Sequence, residues 1–480
     1  MTFALTITLF LTQYLAFERL SDLEDTIAAI ATPPGTGAIG IIRVSGPRSG
    51  EIASLIFRPS NKTDGINSHR LYHGDIISPD TGRVIDEVLI SFMMKPHSYT
   101  GEDILEINCH GNAFILRSVL SEVIKAGARL AKPGEFTKRA FLNNRIDLSQ
   151  AEAVAETIIA QTDRALDLAV SRLKGELAGK IETVRRAIVD ILAVLETSID
   201  FSDEDVEVGA PLSAAKDIAD IVDELSGLAS TYEEGKIYRD GINAVIAGRP
   251  NVGKSSLLNR LLGEKRAIVT AMPGTTRDFI EETISLKGVP VMLTDTAGIR
   301  EPQNIIEEEG VDLVWEKLSQ ADVAIVVVDG SEPLTREDIE IIERCKAKKF
   351  FIVINKADLP HVLDGKDLAG LYPDVMPPIW ISAKHGDGIP SLKDAIHSLV
   401  LNGPNCGHTL TVVSSIRHKM AIEKAKDLLS KAGDSIRQGL SPEFSAFDIR
   451  QALESLGEIA GETVTEEVLD RIFSTFCIGK

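Results

Sequence analysis

Residues Gly248 to Ser255 read GRPNVGKS, a Gly-x4-Gly-Lys-Ser phosphate loop. The loop lies between an apolar run at 243–247 and a helix-like stretch at 256–262, the strand-to-helix context that such a loop needs. Glycines there let backbone N–H groups approach phosphate oxygens at a helix N-terminus, where the dipole favours anions. We expect Lys254 to bind the β- and γ-phosphates and the Ser255 hydroxyl to bind Mg²⁺. Taken alone, the loop is compatible with an ATPase of any kind.

A second motif, Asn355-Lys-Ala-Asp358, indicates which base is bound. It follows the very apolar run 350–354, which is typical of a buried parallel strand. The Asp358 carboxylate can accept from both the ring N–H and the amino group of guanine, whereas adenine offers no such donor pair. We expect Ser382-Ala-Lys384 to complete the base pocket through the backbone N–H of Ala383. The pattern therefore predicts specificity for guanine.

Two further segments complete an ordered set of five motifs. Asp295-Thr-Ala-Gly298 closes a strand-like run at 291–294, so Asp295 is expected to reach Mg²⁺ through water and Gly298 to sense the γ-phosphate. Thr276 is the expected second hydroxyl on Mg²⁺. The full set on alternating strands predicts a P-loop, Ras-like G domain that hydrolyses GTP. The predicted GTP-binding residues are Asn251, Val252, Gly253, Lys254, Ser255, Ser256, Thr270, Ala271, Met272, Pro273, Gly274, Thr275, Thr276, Asp295, Thr296, Ala297, Gly298, Asn355, Lys356, Ala357, Asp358, Ser382, Ala383 and Lys384.

The catalytic apparatus departs from that of Ras-like enzymes, because Ile299 stands where they carry the glutamine that orients water. Asn251 offers a side-chain carbonyl close to the phosphates, and the segment 270–276 can fold a loop of backbone oxygens over the same place. Such oxygens suit a hard monovalent cation, and we expect K⁺. A cation there would replace an arginine finger, a role worth about 10³ to 10⁵ in rate.

The acidic run Glu307-Glu-Glu309 is the natural place to look for a residue that orients the water. Its alternative interpretation is a solvated helix start, with acidic residues near a favourable dipole. Arg300 and Arg277 are candidates for charge stabilisation, and ordinary surface arginines are the alternative.

The amino-acid composition limits which binding partners and which cellular compartment can be expected. A formal net charge of −20 over 480 residues argues against a generic electrostatic grip on nucleic acid, so an RNA substrate must be held by local basic patches or by a partner. The four cysteines show neither a disulfide framework nor metal-ligand spacing, which fits a reducing cytosol and a cytoplasmic location. The apolar start at 1–17 lacks a basic region, a cleavage pattern and spanning length, so membrane insertion is not expected.

The positions of glycine and proline and the spacing of apolar residues divide the chain into predicted domains. Residues 1–23 are interpreted as a disordered extension or a start-site artefact, and 24–142 as an α+β domain. Amphipathic helices predict a helical domain in two parts, 143–239 and 403–480, interrupted by a G domain at 240–402. The segment 201–211 is interpreted as a helix breaker, followed by one helix up to about residue 236. Two independent helical domains remain the alternative.

The chain resembles the bacterial tRNA modification GTPases called MnmE or TrmE over residues 24–480. The resemblance is carried by Asp25-Thr-Ile-Ala-Ala-Ile-Ala-Thr-Pro-Pro-Gly35, Tyr99-Thr-Gly-Glu-Asp-Ile-Leu-Glu106, Pro133-Gly-Glu-Phe-Thr-Lys-Arg-Ala-Phe-Leu142 and Phe476-Cys-Ile-Gly-Lys480. It implies an N-terminal domain that binds formyl-tetrahydrofolate and forms a homodimer, with G domains that meet face to face in the presence of K⁺. The implied partner is the FAD-binding protein MnmG, in a heterotetramer. The implied product is a carboxymethylaminomethyl or aminomethyl group on C5 of the wobble uridine of certain tRNAs.

The resemblance also implies roles for single residues. It places the folate site at Arg43, Glu106, Arg145 and Lys480, and the K⁺ ligands at Asn251, Thr270, Met272 and Thr275. Within the acidic run it favours Glu307 as the water-orienting carboxylate. The predicted catalytic residues are Glu307, Lys254, Asn251, Arg300 and Cys477. Cys477 resembles the family's terminal cysteine, and whether it is a nucleophile or a packed thiol stays open. Pro273 departs from the family's cation loop and would stiffen it.

Two other functions remain as alternative hypotheses. One is a ribosome-assembly factor or regulatory switch GTPase of the same superfamily, although such factors usually carry a basic RNA-binding module and these acidic helical flanks do not look like one. The other is a folate-binding scaffold whose GTPase only drives a conformational change.

Overall fold

The computed structural model describes residues 25–62, 65–200, 209–264, 281–295, 318–373, 375–401 and 412–480. Contacts divide the described chain into two units, one of residues 25–155 with 457–480 and one within 156–456. This division is coarser than the domain limits predicted from the sequence, which stay a prediction.

The described elements are numbered here in chain order. The strands are β1 Ile27–Ile30, β2 Ile39–Ser45, β3 Phe57–Pro59, β4 Arg70–Ile77, β5 Val84–Met93, β6 Ile104–His110, β7 Arg129–Leu130, β8 Ile242–Ala247, β9 Glu281–Leu286, β10 Val289–Asp295, β11 Val323–Asp329, β12 Lys349–Asn355 and β13 Ile379–Trp380. The helices are α1 Ser49–Ile56, α2 Ala113–Lys125, α3 Glu135–Leu142, α4 Leu148–Ile159, α5 Asp163–Leu173, α6 Glu176–Asp200, α7 Gly209–Ser230, α8 Tyr232–Asp240, α9 Lys254–Glu264, α10 Arg336–Cys345, α11 Gly365–Leu371, α12 Ile389–Leu401, α13 Ile416–Arg437, α14 Pro442–Ala460 and α15 Glu466–Ser474.

The first unit is built on a sheet whose described strands run in the order β3-β4-β5-β6-β2-β1-β7. Neighbouring strands are antiparallel except for β1 and β7, and the register sets Arg43 on β2 directly opposite Glu106 on β6. Helices α1 and α2 cover this sheet through buried side chains that include Ile52 and Val119. The unit is thus α+β, as the sequence predicts.

The carboxyl-terminal residues belong to this first unit. Leu469, Phe473 and Phe476 form a buried cluster with Leu148 and Ala151 of α4. Burial of each such aromatic or aliphatic side chain contributes about 1.5–3 kcal/mol. The cluster anchors α15 and Phe476. It therefore fixes the position from which residues 477–480 continue.

The second unit contains a sheet of described strands in the order β13-β12-β11-β8-β10-β9. Its pairs are parallel except for β9 with β10. Every residue of β11 is buried, as expected for a strand covered on both faces. The carboxyl ends of β8, β11 and β12 share one edge of the sheet, so the loops that follow them lie together.

Helical segments flank this sheet in the chain and pack on it. The Thr162 hydroxyl caps α5 by accepting from Ala165 N, and it donates to Gly288 O in the β9–β10 turn at 2.7 Å. Helices α7 and α13 pack along each other, with Gly433 facing Ile218. The sequence prediction of a G domain between helical segments is confirmed.

Two helix predictions need correction. The predicted breaker 201–211 extends too far, because α7 begins at Gly209 and Pro211 lies in its first turn, where the missing N–H costs no helical hydrogen bond. The single helix predicted up to residue 236 is two helices. They separate at Thr231, whose hydroxyl donates to Leu228 O and accepts from Val413 N.

Among the residues described, no helix has both the length and the apolar character to cross a membrane.

Candidate functional site

The phosphate loop joins β8 to α9 and requires glycine for its path. Gly253 has φ +100°, and a Cβ there would lie 2.2 Å from Asn355 Nδ2. Asn251 is exposed and has φ +64°, a left-handed conformation that asparagine adopts more readily than most residues. The loop is therefore folded for close backbone approach to a ligand.

Lys254 and Ser255 stand at the start of α9. The Lys254 side chain is largely buried, and its ammonium donates to Gly248 O at 2.7 Å and Arg249 O at 3.0 Å. These carbonyl oxygens lie within the phosphate loop itself, where phosphate oxygens would compete for the same donors. Ser255 is exposed in the first turn. A buried ammonium next to an accessible hydroxyl fits a phosphate that carries Mg²⁺.

Asn355 joins the phosphate loop to the Ser382–Lys384 loop, which we name the base loop. Its side chain is buried, with Nδ2 donating to Val252 O at 2.8 Å and Oδ1 accepting from Ala383 N at 3.0 Å. Its carbonyl accepts from Gly330 N at 2.9 Å. The sequence prediction directs the Ala383 N–H to guanine, whereas in this structure that N–H is donated to Asn355.

Asp358 is held by the Ser382–Lys384 loop. Ser382 Oγ donates to Asp358 Oδ1 at 2.7 Å, and His385 Nε2 lies 3.7 Å from Oδ2. The Ser382 hydrogen bond, with smaller contributions from His385 and Lys384, lowers the pKa of Asp358. The group is therefore a carboxylate at neutral pH, as an acceptor for two guanine N–H groups must be.

Arg260 on α9 supports the same loop, and the sequence analysis missed it. Its Nε donates to Ala383 O at 3.1 Å and its Nη2 to Lys384 O. The only sequence signal is an arginine on the helix that follows the phosphate loop, which is too common to be informative. The arginine therefore ties α9 to the base loop.

Several predicted residues lie outside the described part of the chain. They are Thr270, Ala271, Met272, Pro273, Gly274, Thr275, Thr276, Arg277, Thr296, Ala297, Gly298, Arg300 and Glu307. Asp295 ends β10 beside Ile246 of β8, and its side chain is not described.

A second cluster forms in the first unit, around Arg43. The guanidinium donates to Glu106 at 2.9 Å through Nε and to Gly479 O at 3.2 Å through Nη1. It lies over the rings of Tyr99 and Phe136, 5.5 and 5.7 Å from their centroids. The carboxyl-terminal tail is thus seated against an ion pair that joins β2 and β6.

The remaining residues of the predicted folate site border this cluster. Burial, followed by the positive charge of Arg43, lowers the pKa of Lys480, while Cys477 and Glu106 act in the opposite direction. Arg145 donates to Ser98 O at 3.3 Å, next to the Tyr99 that underlies Arg43. Cys477 is exposed, whereas burial raises the pKa of the Cys109 and Cys345 thiols to about 12 and about 11.

The sheet order, the phosphate loop after β8 and the Asn-Lys-x-Asp motif after β12 define a GTPase of the P-loop class. Family models described as the N-terminus of the GTP-binding protein TrmE and as the MnmE helical domain match residues 26–145 and 148–477. The tRNA modification GTPase MnmE of Syntrophus aciditrophicus is 55% identical over 460 residues, which cover 95% of this chain and 100% of that protein. The proteins of the same description from Natranaerobius thermophilus and Geotalea uraniireducens are each 46% identical, with the same coverage. The chain belongs to the MnmE family of tRNA modification GTPases, and it is a hydrolase that acts on GTP.

Gly253→Ala tests the geometry that joins the two loops. Because the added methyl meets Asn355 Nδ2 and the backbone has φ +100°, we expect nucleotide affinity to fall roughly 10- to 1000-fold from strain and lost hydrogen bonds. Titration with N-methylanthraniloyl-GDP measures the effect. Gly263→Ala is the matched control, since a Cβ there meets nothing within 4 Å and helical alanine is favourable. Normal GDP binding by Gly253→Ala would contradict the described loop contact.

Proposed function

We propose that this chain is a K⁺-dependent GTPase that, with an FAD-binding MnmG partner, adds a carboxymethylaminomethyl or aminomethyl group to C5 of the wobble uridine in certain tRNAs. Formyl-tetrahydrofolate is the proposed one-carbon donor. The observation that carries this proposal is the seating of the Cys477–Lys480 tail on the Arg43–Glu106 pair. This cluster belongs to the first unit, whereas the phosphate loop belongs to the second, and it groups two cations with an exposed thiol.

The proposed GTPase site combines residues that the structure describes with others that are known only from the sequence motifs. Lys254 and Ser255 serve the phosphates and Mg²⁺, with Thr276 as the second hydroxyl and Asp295 acting through water. Asn355, Asp358 and the segment 382–384 serve the base. Glu307 is the proposed water-orienting carboxylate, and Arg300 the proposed stabiliser of charge.

Asn251 is the described member of the proposed K⁺ site. Its exposed side chain, on a left-handed residue of the phosphate loop, is consistent with presenting an amide oxygen beside the phosphates. Thr270, Met272 and Thr275 are the other proposed ligands. A bound K⁺ would supply the positive charge that an arginine finger supplies in other GTPases.

The Arg43 cluster is the proposed folate site. Arg43 and Lys480 offer cations to an acidic folate tail, Glu106 orients Arg43, and Arg145 extends the positive surface. The site fits such a ligand because the charges of Arg43 and Glu106 both act on the partly buried Lys480 ammonium, so two cations are grouped near one ion pair. Cys477, exposed on the same tail, is proposed to take part in the modification chemistry.

The proposed assembly is a homodimer through the N-terminal domain, within a heterotetramer that includes MnmG. A cytoplasmic location is proposed with it. The family relation supports a tRNA substrate, and the net charge of −20 supports a partner that helps to hold it.

The cation proposal predicts a salt effect on turnover. GTP hydrolysis by the full chain should be at least roughly tenfold faster in KCl than in NaCl, because Na⁺ is a poor substitute in a site that replaces an arginine finger. Asn251→Gly, which tolerates φ +64°, should reduce the rate in KCl to that in NaCl while GDP affinity stays within about threefold. Equal wild-type rates in the two salts would remove the cation from the account.

Gly479→Ala tests the tail. Gly479 has φ +94°, and a Cβ there would lie 2.7 Å from Ile30 O, so alanine should displace the tail from Arg43. In a strain whose only copy is this variant, we expect wobble-uridine modification to fall at least about tenfold, the equivalent of losing one charge-assisted hydrogen bond. Mass analysis of tRNA nucleosides measures it, and GTP turnover of the purified variant should be unchanged.

Gly439→Ala is the matched control, because Gly439 also has positive φ but a Cβ there meets nothing within 4 Å. Normal modification with Gly479→Ala would remove the tail from the chemistry. An unchanged nucleoside profile in a strain that lacks the chain would overturn the tRNA function itself.

A further inference from the structure

The segment between β11 and α10 borders both nucleotide-binding loops. It begins at Asp329, a buried residue at the carboxyl end of β11. The Asp329 carboxylate accepts from Ser331 N at 3.0 Å and Ser331 Oγ at 2.6 Å through Oδ1, and from Lys356 Nζ at 2.5 Å through Oδ2. A buried carboxylate of this segment therefore holds the lysine of the Asn-Lys-x-Asp motif.

The other end of the segment contacts the phosphate loop. Asp338 is buried in the first turn of α10, where it forms a capping box with Thr335. Arg249 Nε lies 3.2 Å from Asp338 Oδ2, and Arg249 Nη2 lies 2.5 Å from Glu332 Oε2. Arg249 is the residue directly after Gly248 in the phosphate loop.

Backbone hydrogen bonds join the start of the segment to the loop that follows β12. Gly330 N donates to Asn355 O at 2.9 Å, and Val362 N donates to Gly330 O at 3.0 Å. The segment 329–338, which we name the brace, thus contacts the phosphate loop through charged side chains and the loop after β12, residues 355–362, through charge and backbone.

We propose that the brace sets the spacing of the phosphate loop and the loop after β12 and that Asp329 is a positioning residue for guanine recognition, acting through Lys356. The inference rests on the base pocket proposed above. Lys356 has φ +66° and a long, flexible side chain whose ammonium Asp329 fixes at one point. With both ends of the side chain fixed, the apolar stem between them has few conformations left, and such a stem can cover a flat base.

The test is Asp329→Asn in the full chain, with N-methylanthraniloyl-GDP as the probe. Asparagine is isosteric and can still accept from Ser331, but it loses the charge-assisted bond to Lys356. We expect the Kd for the probe to rise roughly 10- to 100-fold, the equivalent of that one bond. Ser331→Ala removes a hydroxyl from the same carboxylate without touching the lysine, and its Kd should stay within about threefold of wild type.

A double-mutant cycle separates positioning from general stability. Lys356→Met should reduce the affinity for the probe as much as Asp329→Asn does. The double variant, Asp329→Asn with Lys356→Met, should bind the probe no more weakly than Lys356→Met alone. Apo melting temperatures report folding. If Asp329→Asn fails to fold, the double variant is compared with wild type instead, because it leaves neither an unpaired ammonium nor an unpaired buried carboxylate. A Kd for the double variant within about threefold of wild type would then overturn the positioning role.

The outcomes are distinct. A wild-type Kd for Asp329→Asn overturns the positioning role. So does a double variant that binds the probe about tenfold more weakly than Lys356→Met does. A normal Kd for Lys356→Met shows instead that the base pocket itself is wrongly assigned. Equal losses in both single variants and the double variant support the inference.

Discussion

The buried amide of Asn355 is the contact on which the nucleotide site depends. One side chain satisfies a carbonyl of the phosphate loop, Val252 O, and an N–H of the base loop, Ala383 N. Buried backbone groups that lose a partner cost about 1–3 kcal/mol each, so the two loops cannot move apart without a penalty. Gly253 is required because its Cα approaches this amide too closely for any side chain. The phosphate loop and the base loop therefore share one scaffold at the carboxyl edge of the sheet.

In the first unit the corresponding contact is the Arg43–Glu106 ion pair. The antiparallel register of β2 and β6 places the two residues opposite each other, and aromatic rings of Tyr99 and Phe136 shield the guanidinium. Because Arg43 also binds Gly479 O, a residue close to the start of the fold determines where the last residues lie. Phe473 and Phe476 anchor that tail by apolar burial, and Arg43 orients it by charge.

Much of the G domain could be predicted from sequence because its signals are local. The apolar run 350–354 marks β12, and the spacing of Gly248, Lys254 and Ser255 marks the loop before α9. The supports could not be predicted in this way. Arg260, Asp329 and Asp338 act on residues distant in sequence, and a single arginine or aspartate carries no periodic signal. The division of one predicted helix at Thr231 was also missed, since it depends on a hydrogen bond from Val413, far along the chain. That Arg43 and Lys480 belong to one site was predicted from the family resemblance alone.

The central claim is that this scaffold presents the Asp358 carboxylate to the N–H groups of guanine. Calorimetric titration of the full chain and of Asp358→Asn with GDP, ADP and xanthosine diphosphate tests it most directly. Xanthine carries a carbonyl where guanine carries an amino group, so an amide at position 358 can donate to it. The account predicts that the wild type binds GDP at least about a hundredfold more tightly than the other two, and that the variant prefers xanthosine diphosphate. Equal affinity of the wild type for ADP, or an unchanged preference for GDP in the variant, would contradict it.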